Sequence, residues 1–254
     1  MTFLDGWLRD VGAGLSFFTR WPLPASAHAV PLADAARAVP IAGLLAALPS
    51  AVILLLLGGA DPLVAAIAAT AVLVASTGAL HEDGFADVAD GFWGGRDTAS
   101  RLEIMRDSRL GTYGVAALVL ALLAKVACIA VLMKMSPLFA AGAVLAAALM
   151  ARTAALDIWI AGPSARPDGL AASRPTEASF HIAALIAAGL SVALIFWQAP
   201  AGVISATFLL LLTVKGLGVL ARRKIGGVTG DVIGAAIVAG DLVYLATLAI
   251  WASP

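Results

Sequence analysis

The chain has 254 residues, of which 61% are hydrophobic and only 13% are charged. Soluble globular domains carry about 25% charged residues, so this composition excludes an ordinary soluble domain, and it also excludes disordered and disulfide-rich chains. The 16 basic residues balance the 16 acidic ones, which leaves no net positive charge to attract a nucleic acid. We therefore predict an all-α polytopic membrane protein, a single domain over residues 1–254 in contact with membrane lipid and without a nucleic-acid partner.

Residues 1–38 are predicted to form an interfacial helix and the lead-in to the membrane. Up to Phe18, apolar side chains recur at helical spacing, whereas Asp5, Arg9 and Asp10 occupy other positions. This pattern is typical of an amphipathic helix that lies in the interface between lipid and water. The same charges, together with Arg20, interrupt any apolar core of a signal peptide, so we expect none.

Seven later segments are apolar and approach the length of about 20 residues that a helix needs to cross a bilayer core. They lie near residues 40–58, 62–80, 112–133, 137–161, 180–199, 201–220 and 232–252. Basic residues concentrate before the first segment and after the second, fourth and sixth, so we place these connections and the N-terminus in the cytoplasm, with the C-terminus outside. The fifth and sixth segments could instead form one helical hairpin, which would change the count by one.

Charged residues are densest in residues 81–111, which we predict to be a cytoplasmic loop that carries the active site. On a helix, Asp83, Asp87 and Asp90 would share one face, because they are spaced i, i+4 and i+7. Neighbouring like charges destabilise a helix unless a cation neutralises them, and oxygen ligands favour Mg²⁺ over zinc. We therefore predict that these three carboxylates hold Mg²⁺ against a substrate phosphate. A solvated acidic helix start is the alternative.

Residues that suit a diphosphate surround this acidic segment. Gly94 and Gly95 would let a phosphate approach the backbone, although glycines also end helices. Guanidinium groups pair with phosphates, or they hold a loop at the membrane surface. The candidate phosphate-binding arginines are Arg96, Arg101, Arg106 and Arg109. We expect Arg101 and Arg106 to contact the diphosphate and Asp107 to orient one of them or to join the metal.

A second polar segment, residues 222–231, opens the last predicted span. A glycine-rich turn at a helix N-terminus can bind an anion, so Gly227, Thr229 and Asp231 are candidate substrate-binding residues. Asp231 could equally cap the helix or bind metal. Ionisable residues within the spans are energetically unfavourable and usually functional, and the sequence leaves their role open. They are Arg152, Asp157 and Asp241.

Four motifs in chain order resemble the cobalamin synthase family, the adenosylcobinamide-GDP ribazoletransferases. The motifs are residues 17–20 with Pro22 and Pro24, 81–91 with Gly94 and Gly95, 101–111 with Gly114, and 226–231. The resemblance covers the whole chain, and its second and third motifs are the most specific. One departure is Glu82, which stands where the family has Leu or a similar residue.

The resemblance implies that adenosylcobinamide-GDP is joined to α-ribazole or its 5′-phosphate, with release of GMP, in the last nucleotide-loop assembly step of cobalamin biosynthesis. It further implies a Mg²⁺-dependent enzyme of the bacterial inner membrane whose active site faces the cytoplasm. Asp83, Asp87 and Asp90 would hold the metal, the arginines would stabilise the departing GMP, and His81 or a carboxylate would accept the proton of the attacking ribazole hydroxyl. A homo-oligomer is left open.

Two other classes of protein compete with this interpretation. A transporter would use Arg152, Asp157 and Asp241 as an intramembrane path, but it would leave the acidic face and the arginines without a role. A CDP-alcohol phosphotransferase pattern begins Asp-x-x-Asp-Gly, as residues 87–91 do. The Ala-Arg that should follow is absent, and so is the later Asp-x-x-x-Asp pair, which favours shared chemistry over membership of that family.

Overall fold

The computed structural model describes residues 3–252 and contains ten α-helices and no β-strand over that range. The helices are α1 (Phe3–Phe18), α2 (Val39–Leu56), α3 (Pro62–Thr77), α4 (Leu80–Gly94), α5 (Thr98–Ile104), α6 (Thr112–Met135), α7 (Pro137–Ala161), α8 (Glu177–Ser191), α9 (Pro200–Ile225) and α10 (Gly230–Ala252). Short 3₁₀ turns occupy Ala25–His28, Ala36–Ala38 and Leu170–Ala172, and a π turn at Val192–Phe196 extends α8. The predicted all-α fold is confirmed.

Six helical segments are long and apolar enough to cross a membrane. They are Ala36–Leu56, Thr112–Met135, Pro137–Ala161, Glu177–Phe196, Pro200–Ile225 and Gly230–Ala252. These correspond to six of the seven predicted spans. The segments that contain α8 and α9 are each long and apolar enough to cross a membrane, so they count as two spans. The remaining prediction, residues 62–80, is replaced by a bent pair: α3 ends at Thr77, and α4 leaves it at an angle of 89°. The bent pair makes a seventh crossing if it counts as one span.

Two consecutive left-handed residues produce this bend. Gly78 has φ +62° and its N–H donates to the carbonyl of Ala75, which closes α3, and Ala79 follows with φ +56°. The left-handed region costs a residue with a Cβ about 1–2 kcal/mol. A Cβ on Gly78 would also lie 2.5 Å from the side chain of Arg20. The acidic segment therefore begins a new helix instead of continuing the span.

The helix α7 forms the centre of the bundle. It packs against α2, α6, α8, α9 and α10, and nearly all its residues from Phe139 to Trp159 are buried. Nine of these buried residues are alanines, whose small side chains let neighbouring helix backbones approach closely. The sequence of α7 is apolar on almost every face, which is typical of a helix that neighbouring helices surround on all sides.

The N-terminal helix α1 lies on α2 and on the turns that precede it. Its outer side exposes Phe3, Leu4 and Leu8, which fits the predicted interfacial helix. Asp10 is buried, however, because Arg37 donates from Nε to its carboxylate at 2.7 Å. The charge thus anchors α1 to the bundle rather than facing water.

Of the intramembrane charges that the sequence left unexplained, Asp241 and Asp157 form ion pairs. Lys125 on α6 and Asp241 on α10 are buried, with 2.6 Å between Nζ and Oδ2. Asp157 lies 3.8 Å from Nζ of Lys215. Arg152 is buried as well, and it interacts electrostatically with Asp241 and with Glu82. Asp157 and Asp241 therefore each have a cationic partner within the protein.

We predict that Gly78→Ala destabilises the protein by at least about 1–2 kcal/mol, because alanine would occupy a left-handed conformation and press on Arg20. Thermal unfolding in detergent measures the change. Gly189→Ala is the matched control, since an added Cβ there meets nothing within 4 Å and alanine favours a helix interior. Equal stability of the two variants would contradict this account of the bend.

Candidate active site

Three carboxylates gather where α4 meets the first turn of α10. Asp83 and Asp87 lie one turn apart on α4, as predicted, and Asp231 joins them from α10. A Cβ on Gly84 would lie 2.9 Å from the Asp231 carbonyl oxygen, so the two helix backbones touch at this point. The negative charges of Asp83 and Asp231 both act on Asp87. This contact creates an acidic cluster, defined here as Asp83, Asp87 and Asp231.

The third residue of the predicted metal face, Asp90, has a different environment. It is buried, and its Oδ2 and Oδ1 accept hydrogen bonds from the N–H groups of Gly111 (2.7 Å) and Gly114 (2.9 Å). Asp90 therefore satisfies two free N–H groups at the start of α6 and fixes α4 to α6. Among residues 3–252, no three His, Cys, Asp or Glu side chains are arranged to hold a metal ion, so the predicted set of Asp83, Asp87 and Asp90 is not assembled.

Arg166, in the connection between α7 and α8, joins the acidic cluster to α5. Its guanidinium donates to Oδ2 of Asp231 at 3.0 Å and to the carbonyl of Leu102 at 3.3 Å. The sequence analysis used the basic residues that follow the fourth predicted span, of which Arg166 is one, only to assign the topology. The two partners of Arg166 lie 65 and 64 positions away along the chain, so spacing does not reveal them. Only its positive charge in a basic connection distinguished it.

The second predicted segment, residues 222–231, packs against the same connection. The N–H of Val228 donates a hydrogen bond to the carbonyl of Pro163 at 2.8 Å. A Cβ on Gly227 would clash with that same carbonyl oxygen. Gly227 is thus required for close packing. Thr229 caps α10 by accepting a hydrogen bond from the N–H of Val232 at 3.3 Å. The cap role considered for Asp231 therefore falls to Thr229, and Asp231 is left to pair with Arg166.

Arg101 attaches α5 to the end of α9. Its NH1 donates to the carbonyl of Lys224 at 2.9 Å and its NH2 to that of Arg96 at 3.1 Å. A Cβ on Gly95 would lie 2.8 Å from the Arg101 nitrogen, so Gly95 allows the tight turn before α5, whereas Gly94 is exposed. Arg101, expected to contact a diphosphate, thus uses two of its guanidinium nitrogens to hold the main chain.

Asp107 orients an arginine, but the partner is Arg109 rather than Arg101 or Arg106. The Arg109 NH2 lies 2.6 Å from Oδ2 of Asp107, and the N–H of Arg109 donates to Oδ1 at 3.0 Å. These hydrogen bonds lower the pKa of Asp107 to about 2, so the pair stays ionised at neutral pH. Arg106 is exposed and lies 3.7 Å from Asp168.

A cavity of about 180 Å³ opens beside the acidic cluster. Its walls come mainly from the start of α4, from α7 and from the start of α10, with two residues from the end of α1, and most of the lining side chains are apolar. The polar residues that line it are His81, Asp83, Arg152 and Asp231. His81 is buried and stacks on Phe18 with 5.7 Å between ring centroids. The predicted catalytic residues His81 and Asp83 thus both line one cavity, and its position could not be read from the sequence because its walls come mainly from four helices.

Comparisons with known proteins identify the family. A family model described as cobalamin-5-phosphate synthase (CobS) matches residues 10–249. The chain belongs to this family. A protein of Sinorhizobium sp. named adenosylcobinamide-GDP ribazoletransferase is 43% identical, with 98% of this chain and 99% of the relative covered. One of Azorhizobium caulinodans with the same name is 44% identical, with 97% of each covered. No solved structure was found to match the chain.

Family membership confirms the resemblance that the four motifs indicate. Three of the motifs meet around the acidic cluster: the second supplies Asp83 and Asp87, the third contributes Leu102, which binds Arg166, and the fourth supplies Asp231. The first places Phe17 and Phe18 in the cavity wall. Segments far apart in the sequence are therefore brought together at one end of the bundle.

We predict that Asp90→Asn lowers the free energy of unfolding by about 1–3 kcal/mol, because the amide offers one acceptor oxygen to two buried N–H groups. Asp83→Asn is the matched control. Because Asp83 is exposed, this substitution should change the free energy of unfolding of the protein by less than about 0.5 kcal/mol. Thermal unfolding in detergent compares the two. Equal stability of Asp90→Asn and the unmodified protein would show that these hydrogen bonds are not needed.

Proposed function

We propose that this protein joins adenosylcobinamide-GDP to α-ribazole or its 5′-phosphate and releases GMP. A ribose hydroxyl oxygen would attack the phosphorus that bears the cobinamide, and the bond from that phosphorus to GMP would break. The observation that carries the proposal is the acidic cluster at the mouth of a preformed cavity, in a chain whose relatives bear this activity in their names. Charge-stabilised phosphoryl transfer requires both a place for the alcohol and groups that organise the diphosphate.

We assign Mg²⁺ to the acidic cluster rather than to the face that includes Asp90. The chemistry of the donor set suits the ion, because Asp83, Asp87 and Asp231 supply carboxylate oxygens whose charges repel one another. Among residues 3–252 these side chains are not arranged around one point, so binding of the ion would draw them together. Bound there, Mg²⁺ would offset the negative charge of the diphosphate. Arg166 holds the Asp231 carboxylate in place through its NH1, which lies 3.0 Å from Oδ2.

The remaining steps fall to groups that surround the cluster. Arg96 and Arg106 are exposed on the connection between α4 and α6, and we assign them to the departing GMP phosphate. Arg109 is less available, since Asp107 neutralises it. His81 or a carboxylate of the cluster accepts the hydroxyl proton. In phosphoryl transfer, positioning and electrostatics outweigh the contribution of such a base.

We further propose that the active site faces the cytoplasm from the bacterial inner membrane. Support comes from the basic connections, which meet at one end of the bundle: Arg101 binds the carbonyl of Lys224, and Arg166 binds Asp231. The connection at residues 57–61 lies at the other end, where a Cβ on Gly58 would be 3.0 Å from Pro137. The positive-inside rule places the basic end in the cytoplasm.

The first test is turnover with Mg²⁺. Asp83→Asn and Asp87→Asn should each lower release of GMP by about 100-fold or more, since a charge that stabilises the transition state is lost. EDTA in excess should abolish release in the unmodified protein. Asp61→Asn is the matched control, because Asp61 caps α3 at the far end of the bundle. Near-normal turnover of both cluster variants, or full activity in EDTA, would exclude a metal at the cluster.

The second test concerns orientation. In a Cys128→Ala background, Ser108→Cys should react with an impermeant thiol reagent only from the cytoplasmic side, and Ala60→Cys only from the opposite side. Both positions are exposed, so burial does not limit labelling. Labelling of the two positions from the same face would contradict the proposed topology, and Ser108→Cys labelled from outside would reverse it.

A further inference from the structure

The cavity beside the acidic cluster has rigid aromatic walls. The indole Nε1 of Trp159 donates to the carbonyl of Ser173 at 2.8 Å, which fixes the ring that lines one side. On another side, Phe18 is held between His81, at 5.7 Å, and the Arg152 guanidinium, at 5.3 Å. Preformed walls of this kind suit a flat apolar group, because little ordering is needed when it binds.

The volume restricts which part of a substrate can enter. A dry apolar cavity of about 150 Å³ holds benzene, so the 180 Å³ here suits a small aromatic ring system. A corrin ring or a whole nucleotide is far larger. We infer that this cavity receives the aromatic base of the alcohol substrate, α-ribazole, and leaves its ribose at the acidic cluster. This inference rests on the proposed function.

Two of the residues that line this cavity each carry a buried polar atom without a hydrogen-bond partner among the described residues. Arg152 Nε and His81 Nε2 are both enclosed, and neither has a hydrogen-bond partner within the part of the chain that the structure describes, residues 3–252. Both residues line the cavity. The glycosylated benzimidazole of α-ribazole offers one bare ring nitrogen, which is an acceptor suited to the guanidinium group of Arg152 at the cavity wall.

The same chemistry disfavours the guanine of the other substrate. Guanine is also flat, but it carries several donors and acceptors along its edges. Apart from the four polar residues already named, the cavity side chains are apolar, including Leu32, Val39 and Leu156. Guanine would leave polar groups unpaired against these walls, and each unpaired group weakens binding. The base of α-ribazole has only one free ring nitrogen, so it would leave fewer polar groups unpaired in this cavity.

The position of the cavity also fits the reaction. Asp83 and Asp231 line it together with the aromatic residues, so a base seated among the rings would have its ribose next to the carboxylates. The reacting hydroxyl would then lie beside the groups proposed to organise the diphosphate. The cavity thereby selects the alcohol by its base and fixes the position of its hydroxyl.

Binding of benzimidazole alone provides the first measurement. Calorimetry on the full-length protein in detergent should detect benzimidazole binding, and turnover should show competitive inhibition against α-ribazole but not against adenosylcobinamide-GDP. Guanosine, as a comparison probe, should not displace benzimidazole. Displacement by guanosine would overturn the assignment and place the guanine here, and the absence of benzimidazole binding would also overturn it.

Variants on α7 separate the cavity from general stability. Ala155→Leu should fill the cavity, abolish benzimidazole binding and raise KM for α-ribazole about tenfold or more, with KM for adenosylcobinamide-GDP unchanged. Leu156→Ala should enlarge the cavity and permit binding of naphthimidazole, which has one more ring. Leu149→Ala is the matched control, because Leu149 is a buried leucine on the same helix that does not line the cavity.

The outcomes distinguish this inference from the proposed function. If turnover occurs and folded Ala155→Leu leaves benzimidazole binding and both KM values unchanged, the inference is wrong while the proposed function stands. If no turnover occurs, but benzimidazole binds the unmodified protein and not Ala155→Leu, the reaction is wrong and the cavity remains a site for an aromatic base. Equal KM changes in Leu156→Ala and Leu149→Ala would indicate only altered packing and overturn the inference.

Discussion

The backbone contact between Gly84 of α4 and Asp231 of α10 is the constraint on which the active-site arrangement depends. It exists because two left-handed residues, Gly78 and Ala79, turn the chain by 89° between α3 and α4. Without the turn, the carboxylates would continue along a membrane span instead of meeting α10. Gly84 then allows a 2.9 Å approach that a side chain would prevent. The bend at Gly78 and Ala79 and the absence of a side chain at Gly84 therefore allow Asp83 and Asp87 to lie close to Asp231.

The charged residues around this contact form two groups. The first group is paired with other parts of the protein and stabilises the fold, and the second group, the acidic cluster, is available to a substrate or an ion. Asp90 is fully engaged with N–H groups of α6, and Arg101 with carbonyl groups near α9. Deeper in the bundle, Lys125 and Asp241 satisfy each other at 2.6 Å. In an apolar interior an unpaired charge is strongly unfavourable, so each such residue needs a partner. The acidic cluster differs because several like charges share a single arginine, Arg166.

In the site that we propose, the cavity would add selectivity for shape to the electrostatic selectivity of the acidic cluster. Carboxylates and arginines can organise any diphosphate, and so they discriminate poorly among alcohols that attack it. An apolar space with fixed aromatic walls instead responds to the shape of one group. Phe18 belongs to an N-terminal motif far from the acidic segment in sequence, yet it packs on His81. The helix that lies on the outside of the bundle thus contributes to the site through its final turn.

The sequence by itself determined the membrane class, six of the spans, the amphipathic first helix and the acidic face of Asp83 and Asp87. Composition and helical periodicity are local properties, so they can be read without knowing which helices meet. Tertiary structure decided that Asp90 binds α6, that Asp231 completes the cluster, and that Arg166 and the cavity belong to the site. Each of these depends on contacts between residues tens of positions apart: Asp90 is 24 positions from Gly114, and Arg166 is 65 from Asp231. Spacing places side chains on a helix face, but only the packing of helices decides what that face meets.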